Sequence, residues 1–406
     1  MKVLIVSPCG LPVPAVKGGA VATMIENIIN ENERSNLMDL VVISSYDKNA
    51  ETRSKDYTKA SFRFIKESKL VRIIDQFIEK VLLLLKKNSD TPRRFIWKTH
   101  VISTIEKDLI NNEYDKVVFE NAGFLLRVLK NKNVLEKYKG RLYYHLHNDV
   151  PSSVKPKELK QCKLLIISKY LQDRIDKLCG CDMSSSITVL KNGFCTEKFA
   201  EELEKYEERY LKEKLGIDPR KKIVLFAGRI NANKGIQYLL DAFLECKNND
   251  LILLVVGSHN FGSSQHSDFE RNLYEKFSKL AGQIVFTGFI PYEEMWKYYA
   301  LADIGVFPSM WNEPAGLTML EASAAGLPVI TTISGGIPEY LPSDLVTFVD
   351  RDNIVNNLVV SIEKVFDNYE IWKDKAKKCS DYVKNNYSLE VYYNNFCKAL
   401  DIIAAK

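Results

Sequence analysis

The sequence lacks an apolar run long enough to cross a membrane. The leucine-rich run from Val81 to Leu85 is the one that most suggests a membrane segment, and it is ended by the pair Lys86-Lys87, whereas a spanning helix needs about 20 apolar residues. The first residues, Met1 to Pro8, carry one Lys and only a short apolar stretch, so they do not resemble a signal peptide. We therefore expect a cytoplasmic protein without a membrane-spanning segment.

The sequence also lacks a framework of paired cysteines. Its eight cysteines are scattered, and the close pair Cys179 and Cys181 has no second pair at zinc-binding spacing. This distribution predicts reduced thiols in a cytosolic protein. A redox or metal role for Cys179 and Cys181 is the alternative.

The composition excludes global disorder and indicates two domains. Hydrophobic residues make up 46% of the chain and charged residues 27%, which is enough apolar material for large cores. The net charge of +5 hides an imbalance, because residues 1–200 hold 34 basic and 23 acidic residues, against 23 and 29 in residues 201–406. Halves of opposite charge in a chain of this length are typical of two domains with different partners.

Short runs rich in Val, Ile and Leu alternate with longer amphipathic stretches along the whole chain. Nearly continuous apolar runs are typical of parallel strands covered on both faces, and the stretches between them predict crossover helices. We predict an α/β fold of two Rossmann-like, doubly wound domains facing across a deep cleft. The predicted parts are a first domain at 1–195, a charged connector at 196–215, a second domain at 216–385 and a C-terminal helix at 386–406, for which a return to the first domain is one option.

The segment from Asp303 to Ala322 has the most informative pattern in the second half. It predicts a strand ending at Pro308, a loop carrying Glu313, and a helix that places Glu321 about two turns inside. The free amides of the first helical turn form a ready anion site, and a Glu buried among apolar residues needs a partner such as a ligand hydroxyl. The alternative is that Glu313 caps the helix and Glu321 lies on the surface.

This segment resembles the Glu-x7-Glu motif of the retaining, GT-B-fold glycosyltransferases of sequence family 4, and the likeness extends over nearly the whole chain. Further motifs of that family are similar in order and spacing. They are Lys17-Gly18-Gly19, Ser168-Lys169-Tyr170, Lys191-Asn192-Gly193, Phe226-Ala227-Gly228-Arg229, Lys234-Gly235-Ile236 and Gly335-Gly336-Ile337-Pro338-Glu339. The resemblance implies two GT-B domains, the first on the acceptor side and the second binding a nucleotide-diphosphate sugar.

The resemblance also implies roles for individual residues. Arg229 and Lys234 meet the charge that grows on the departing diphosphate, Glu313 approaches the donor sugar, and Glu321 binds the ribose. The alternative for the two cations is that they are exposed loop residues, and for Gly18 and Gly19 that they only make a tight turn. The full donor-binding set implied is Gly18, Gly19, Arg229, Lys234, Gly257, Ser258, Phe289, Ile290, Ala315, Gly316, Leu317, Thr318 and Glu321.

His147 is the catalytic candidate of the first half, because Tyr143 to Asp149 closes a predicted strand. Alternation places His145 on the same face, where we expect it to pack. In related enzymes a histidine at this strand end contacts the donor sugar or the reacting centre; the alternative is a structural histidine. Glu120 and Asn121 end another strand and are expected to orient the acceptor.

We expect no metal and no cofactor, since cations and amides already do what a divalent ion does in other transferases. The Asp350-Arg351-Asp352 sequence lies where the family has a variable loop, so a metal role there is not expected. Retention needs either a carboxylate on the opposite face of the sugar or a same-face substitution. The sequence supplies no obvious first-domain carboxylate, which favours the same-face route.

The sequence departs from the family pattern in a few places. Cys195 stands where Asp is common, Ala20 replaces Glu or Ile, and Ala315 replaces Phe. The segment 257–266 is longer and more polar than a tight turn, which leaves the nucleobase open, although UDP-sugars are the first expectation.

A basic amphipathic stretch, residues 61–100, holds ten basic and four acidic residues around apolar positions at helical spacing. Two interpretations remain open, a helix lying on an anionic membrane surface at the inner face of the cell membrane and a core-packed helix with a solvated basic face. Nucleic-acid binding is not expected, because no recognition motif accompanies the charge.

The function predicted is transfer of a sugar from a nucleotide-diphosphate sugar to a glycan or lipid-linked glycan, in surface or capsular polysaccharide biosynthesis. The alternatives are a nucleotide-sugar epimerase or hydrolase of the same fold, and a non-catalytic partner subunit.

Overall fold

The computed structural model describes residues 1–7, 10–84, 94–258, 267–277 and 283–403. The chain divides into two compact units. The first is formed by Met1–Lys191 with Tyr392–Lys406, and the second by Asn192–Val391. The stretch 196–215, expected to connect the two domains, therefore lies in the second unit.

The first unit is built on a sheet of seven parallel strands in the order β3-β2-β1-β4-β5-β6-β7. Its strands are β1 (Lys2–Ser7), β2 (Asp39–Ser45), β3 (Ala60–Ile65), β4 (Lys116–Glu120), β5 (Leu142–Leu146), β6 (Lys163–Ile166) and β7 (Ile187–Val189). Its helices are α1 (Ala20–Ser35), α2 (Lys48–Arg53), α3 (Lys69–Leu84), α4 (Phe95–Asn111), α5 (Lys132–Lys137), α6 (Pro156–Leu159) and α7 (Lys169–Cys179).

The second unit is built on a sheet of six parallel strands in the order β10-β9-β8-β11-β12-β13. Its strands are β8 (Lys222–Ala227), β9 (Leu251–Val256), β10 (Ile284–Gly288), β11 (Ile304–Phe307), β12 (Val329–Thr332) and β13 (Thr347–Val349). Its helices are α8 (Thr196–Phe199), α9 (Lys205–Lys214), α10 (Ile236–Glu245), α11 (Asp268–Phe277), α12 (Met295–Leu301), α13 (Leu317–Ala324), α14 (Ile354–Asp367) and α15 (Tyr369–Tyr387).

Apolar strands determine where each core lies. Alternate residues of β8 point to opposite faces of the second sheet, so Ile223 and Leu225 join one buried cluster while Val224 and Phe226 join another. Helices therefore cover both faces, as the nearly continuous apolar runs predicted. The predicted fold of two doubly wound parallel-sheet domains is confirmed.

The last helix, α16 (Leu389–Ala399), lies mostly in the first unit. The buried hydroxyl of Tyr393 on α16 donates a hydrogen bond to Asn32 Oδ1 on α1, at 2.8 Å. Asp401, just beyond α16, forms an ion pair with Lys116 at 3.1 Å. The chain end is thus attached to the unit in which the chain begins.

Within the described residues, the helices are all too short or too polar to traverse a lipid bilayer. The seven described cysteines are free thiols. Cys9, residues 85–93 of the basic stretch and residues 259–266 of the long polar segment lie outside the described residues.

Candidate active site

The strand order reverses at the middle of each sheet, and this reversal determines where a ligand can bind. In the second unit β8 lies between β9 and β11, so the loops after β8 and β11 leave the same edge in opposite directions. In the first unit β1 and β4 have this relation. Crevices beyond the carboxyl ends of such strands are the usual ligand sites of open α/β sheets.

The loop after β8 is folded against the loop after β11. Asn231 accepts a hydrogen bond from the Lys234 amide and so closes a single 3₁₀ turn, Ala232–Lys234. Gly235 follows with φ of +71°, and a Cβ there would overlap the carbonyl oxygen of Pro308. Only glycine combines this left-handed conformation with so close an approach, which explains the Lys-Gly sequence at 234–235.

This packing brings Lys234 and Glu313 together across 79 residues of sequence. Lys234 Nζ lies 2.7 Å from Glu313 Oε1, and the Ser309 hydroxyl donates to the same oxygen at 2.6 Å. Glu313 is 8% exposed. A buried carboxylate is costly without partners, so the lysine and the serine hold Glu313 in one place at the loop tip.

Further contacts brace the loop that carries Glu313. The Gly336 amide donates to the Glu313 carbonyl at 2.6 Å, and the Thr332 hydroxyl donates to the Ser309 carbonyl at 2.7 Å. Arg351 Nη1 donates to the Met310 carbonyl at 3.0 Å. The Gly-Gly-x-Pro-Glu motif and the Asp-Arg-Asp sequence, far apart along the chain, thus meet at this loop.

Helix α13 begins directly after the loop. Gly316 is its N-cap residue, and no side chain caps its first amides. Ala315, Leu317 and Thr318 are half-buried there. These amides carry the partial positive charge of a helix N-terminus, which favours an anionic ligand.

Glu321 lies inside α13 and is 5% exposed. The buried Tyr299 hydroxyl donates to its Oε2 at 2.8 Å, and Tyr292 is a second hydrogen-bonding partner. Burial raises the pKa of the Glu321 carboxyl to about 7, against a smaller lowering by the two tyrosines. The surface alternative for Glu321 is therefore wrong: the carboxyl is buried, and it is held protonated up to near neutral pH.

The loops after β8, β9 and β10 form a second group beside the first. The Gly228 amide donates a hydrogen bond to the Val256 carbonyl, and the Gly257 amide donates one to the Gly288 carbonyl, each at 3.0 Å. The predicted base-contacting residues Gly257, Ser258, Phe289 and Ile290 lie on the two loops after β9 and β10. Phe289 and the side chain of Arg229 are exposed to solvent.

In the first unit, Gly18 and Gly19 form the N-terminal boundary of α1. Both have positive φ, +69° and +97°, and Gly19 is the N-cap residue. A Cβ on Gly19 would overlap the Leu11 side chain. Glycine is therefore needed at these two positions to form the tight turn, and this turn leads directly into the N-terminus of α1.

Glu120, His145 and His147 form one buried cluster at the ends of β4 and β5. Glu120 Oε2 lies 2.9 Å from His147 Nε2, Glu120 Oε1 lies 3.2 Å from His145 Nδ1, and the two rings are 4.0 Å apart. Burial acts to raise the pKa of Glu120, but the two histidines hold it at about 2. The carboxylate expected to orient an acceptor is instead turned inward, and His145 is a hydrogen-bonding partner as well as a packing residue.

Sequence reasoning did not find Ser309 or Tyr299, which hold the two motif glutamates. Ser309 follows Pro308 directly, so its position at a strand end was a usable signal. Tyr299 lies 22 residues before Glu321 on another helix, and only the tertiary fold brings the two side chains together.

Comparison with known proteins shows what the second unit is similar to. Residues 207–387 match the family model described as glycosyl transferases group 1. The chain is 23% identical to the lipopolysaccharide 1,2-N-acetylglucosaminetransferase of Salmonella typhimurium over 301 residues, which cover 69% of this chain and 75% of that protein. It is 33% identical to the lipopolysaccharide core biosynthesis mannosyltransferase LpsB of Rhizobium meliloti over 185 residues, covering 43% and 50%.

A similar solved structure supports the architecture. The crystal structure of Anabaena HepE in complex with UDP superposes with a TM-score of 0.73 at 17% identity, covering 99% of this chain and 100% of that chain. At this identity the likeness concerns the fold, which is GT-B. The family match within the second unit and the transferases among the relatives, together with the GT-B fold, identify the chain as a glycosyltransferase.

Proposed function

We propose that this glycosyltransferase belongs to the retaining family 4 and moves a sugar from a nucleotide-diphosphate donor, with a UDP-sugar as the expected one, to a glycan or lipid-linked glycan. The observation that best supports this proposal is the pairing of Lys234 with Glu313 beside the uncapped amides of α13. The lysine would meet the diphosphate of the donor, and the carboxylate would accept hydrogen bonds from the hydroxyls of its sugar. The lipopolysaccharide transferases among the relatives favour a surface polysaccharide as the product.

The proposed reaction needs charge stabilisation at one place. As the bond between the anomeric carbon and the diphosphate oxygen breaks, negative charge grows on the phosphate oxygens. Lys234, Arg229 and the amides at Gly316 and Leu317 meet this charge. The acceptor oxygen forms its bond on the same face of the sugar, and its proton passes to the departing phosphate oxygen, so the configuration is retained.

We propose that Glu313 binds sugar hydroxyls, Glu321 binds the ribose, and His147 contacts the donor sugar. Thr318, Ala315 and the Gly18-Gly19 turn complete the diphosphate surroundings. The base would contact the loops of Gly257-Ser258 and Phe289-Ile290.

The test is a nucleotide-release assay with UDP-, GDP- and dTDP-sugars, with and without lipid-linked glycan acceptors. We expect Lys234→Ala and Glu313→Ala to lower kcat by about 100-fold or more, with Lys373→Ala, an exposed lysine on α15, as the matched control. Full activity in either site variant would refute the assignment. Release of free sugar without acceptor would favour the hydrolase alternative, and no turnover with any donor would favour the partner subunit.

We propose that the reaction requires no divalent metal, because the lysine, the arginine and the helix amides supply the positive charge themselves. Activity is expected to be unchanged in EDTA. Its loss in EDTA and its return with one added metal would refute the proposal.

We also propose that the first unit rests on an anionic membrane surface through α3. Leu70 and Phe77 are each 67% exposed, and the exposed apolar side chains recur at helical spacing along one stripe. The stripe consists of Leu70, Ile73, Ile74, Phe77, Val81 and Leu84. Lys69, Arg72 and Lys80 are exposed on the same helix, so apolar insertion and attraction to acidic headgroups act together.

The core-packed alternative for α3 disagrees with its burial. The single buried residue that α3 contributes is Asp75, whose carboxylate accepts the amides of Ile96 and Trp97, each at 2.9 Å. The side of α3 that carries Asp75 also carries the half-buried Val71, Ile78 and Leu82. This side packs against the first unit, and the exposed apolar stripe lies on another side of the helix.

Vesicle flotation tests this surface. We expect the chain to float with phosphatidylglycerol vesicles and not with phosphatidylcholine vesicles. The double variant Ile73→Glu, Phe77→Glu should remain at the bottom, whereas Gln76→Glu, an exposed position off the stripe, should lose little binding. Equal flotation of the double variant and the wild type would overturn the proposal.

A further inference from the structure

The neighbouring residues Glu120 and Asn121 both hold His147. The Glu120 carboxylate lies 2.9 Å from the ring nitrogen Nε2 of His147, and Asn121 Oδ1 accepts the main-chain amide of His147 at 3.0 Å. Asn121 itself adopts φ of +50° and donates its amide to the His145 carbonyl at 2.8 Å. Asn is one of the few residues that tolerate this conformation. The consecutive residues Glu120 and Asn121 thus hold the ring and the main chain of His147.

The protonation of Glu120 determines where the ring protons lie. A Glu120 carboxylate can only accept hydrogen bonds, and it lies 2.9 Å from Nε2 of His147 and 3.2 Å from Nδ1 of His145. The nitrogens that face it must therefore carry hydrogen, which places one N–H on Nε2 of His147 and one on Nδ1 of His145. His145 Nε2 is buried without a partner, which agrees with a lone pair at that nitrogen more readily than with an unsatisfied N–H.

His145 has a function in this arrangement beyond filling space. Glu120 is 3% exposed, and a buried carboxylate with one donor remains poorly compensated. The His145 N–H supplies a second donor from the same face of β5, where His145 is the register partner of Glu120. His145 keeps the carboxylate charged and in place, and the carboxylate keeps His147 in place.

We propose that Glu120, Asn121 and His145 are positioning residues that fix the tautomer and the orientation of His147 for sugar transfer. This inference rests on the proposed function, in which His147 contacts the donor sugar. It assigns Glu120 and Asn121 to His147 instead of to an acceptor. A ring displaced by about 1 Å is enough to lower the rate by about 100-fold.

Variants that keep or remove single N–H groups test the proposal. Glu120→Gln retains the shape but replaces one acceptor oxygen with an NH₂ donor and removes the negative charge that faces the two ring N–H groups. We expect kcat to fall by about 10- to 100-fold and the KM for the donor to change by less than about 3-fold, because the proposed diphosphate contacts lie mainly in the second unit. His145→Asn keeps an N–H near the position of Nδ1 and should retain most activity, whereas His145→Phe should behave like Glu120→Gln.

A spectroscopic measurement distinguishes this inference from the proposed function. ¹⁵N shifts of the histidine rings, assigned with His147→Gln, are expected to show Nε2 of His147 protonated in the wild type and a mixture of tautomers in Glu120→Gln. This readout needs no substrate. If no donor is turned over but the tautomer shift is seen, the proposed function fails and the ring geometry stands.

Three results would overturn the positioning role. The first is an unchanged kcat in Glu120→Gln, and the second is equal activity of His145→Asn and His145→Phe. The third is one equivalent of metal that purifies with the wild type and is lost in Glu120→Gln. The last outcome matters because the ligand atoms of Glu120, His145 and His147 lie within 4.8 Å of one another. A metal there would take the place of the ring protons.

Discussion

Glu321→Gln should make the second unit more stable while weakening its binding of a donor. The carboxyl is buried in α13 with the Tyr299 hydroxyl at 2.8 Å, and its pKa is raised from 4.5 to about 7. The folded chain therefore holds this proton more tightly than the unfolded chain. Stability from this group is complete below about pH 4.5 and falls as the pH rises toward 7, because the unfolded chain ionises first.

The size of the effect follows from the shift. A difference of about 2.5 pKa units at about 1.36 kcal/mol each gives about 3 kcal/mol of stability lost above pH 7. Gln has no carboxyl proton to lose. The free energy of unfolding of the Gln variant minus that of the wild type should therefore be larger at pH 8 than at pH 4.5, by about 3 kcal/mol. The ribose contact proposed for Glu321 should be weakened in the same variant.

Urea unfolding followed by tryptophan fluorescence measures this, since Trp296, Trp311 and Trp372 all belong to the second unit. The free energy of unfolding is compared between wild type and variant at pH 4.5, 6 and 8. Asp381→Asn, at an exposed position on α15, is the control and should show no comparable pH-dependent difference. A difference between wild type and Glu321→Gln that stays constant with pH would refute the reasoning.

Three other predictions concern the loops and helix ends. Arg351→Ala removes the hydrogen bond to the Met310 carbonyl and should cost about 1.5–3 kcal/mol of transition-state binding in kcat/KM, with the urea midpoint showing whether the fold is intact. Gly235→Ala must place a Cβ against Pro308 at φ of +71°, so thermal unfolding should show a loss of at least about 1 kcal/mol, and an unchanged midpoint would contradict the packing. Asp75→Asn keeps one acceptor for the first amides of α4 and Asp75→Ala keeps none, so the Ala variant should be the less stable of the two, by about 1 kcal/mol in urea unfolding.

The sequence predicts the fold well because the fold depends on local patterns. Continuous Val/Ile/Leu runs predict parallel strands, whereas the close approach of Pro308 to Gly235 is a tertiary contact. The ion pair of Lys234 with Glu313 could be expected only once β8 and β11 were known to be neighbours. The basic stretch gave a helical period, but whether its apolar stripe meets a partner depends on tertiary packing.

The inward position of the Glu120 carboxylate has a physical reason. A carboxylate at a strand end is equally compatible with an exposed acceptor contact and with an inward hydrogen bond. The choice is made by the neighbouring strand, whose register sets His145 opposite Glu120. No pattern within either segment contains that register.

The ion pair between Lys234 and Glu313 has a consequence for the release of the product nucleotide. In the proposed role of Lys234, an arriving diphosphate would share the lysine with a carboxylate already 2.7 Å from it, so part of the attraction to Lys234 would be offset. The same carboxylate would still pair with the lysine after the nucleotide leaves. Product inhibition by the free nucleotide should therefore be weaker than an unpaired lysine would give, and turnover would be limited less by release.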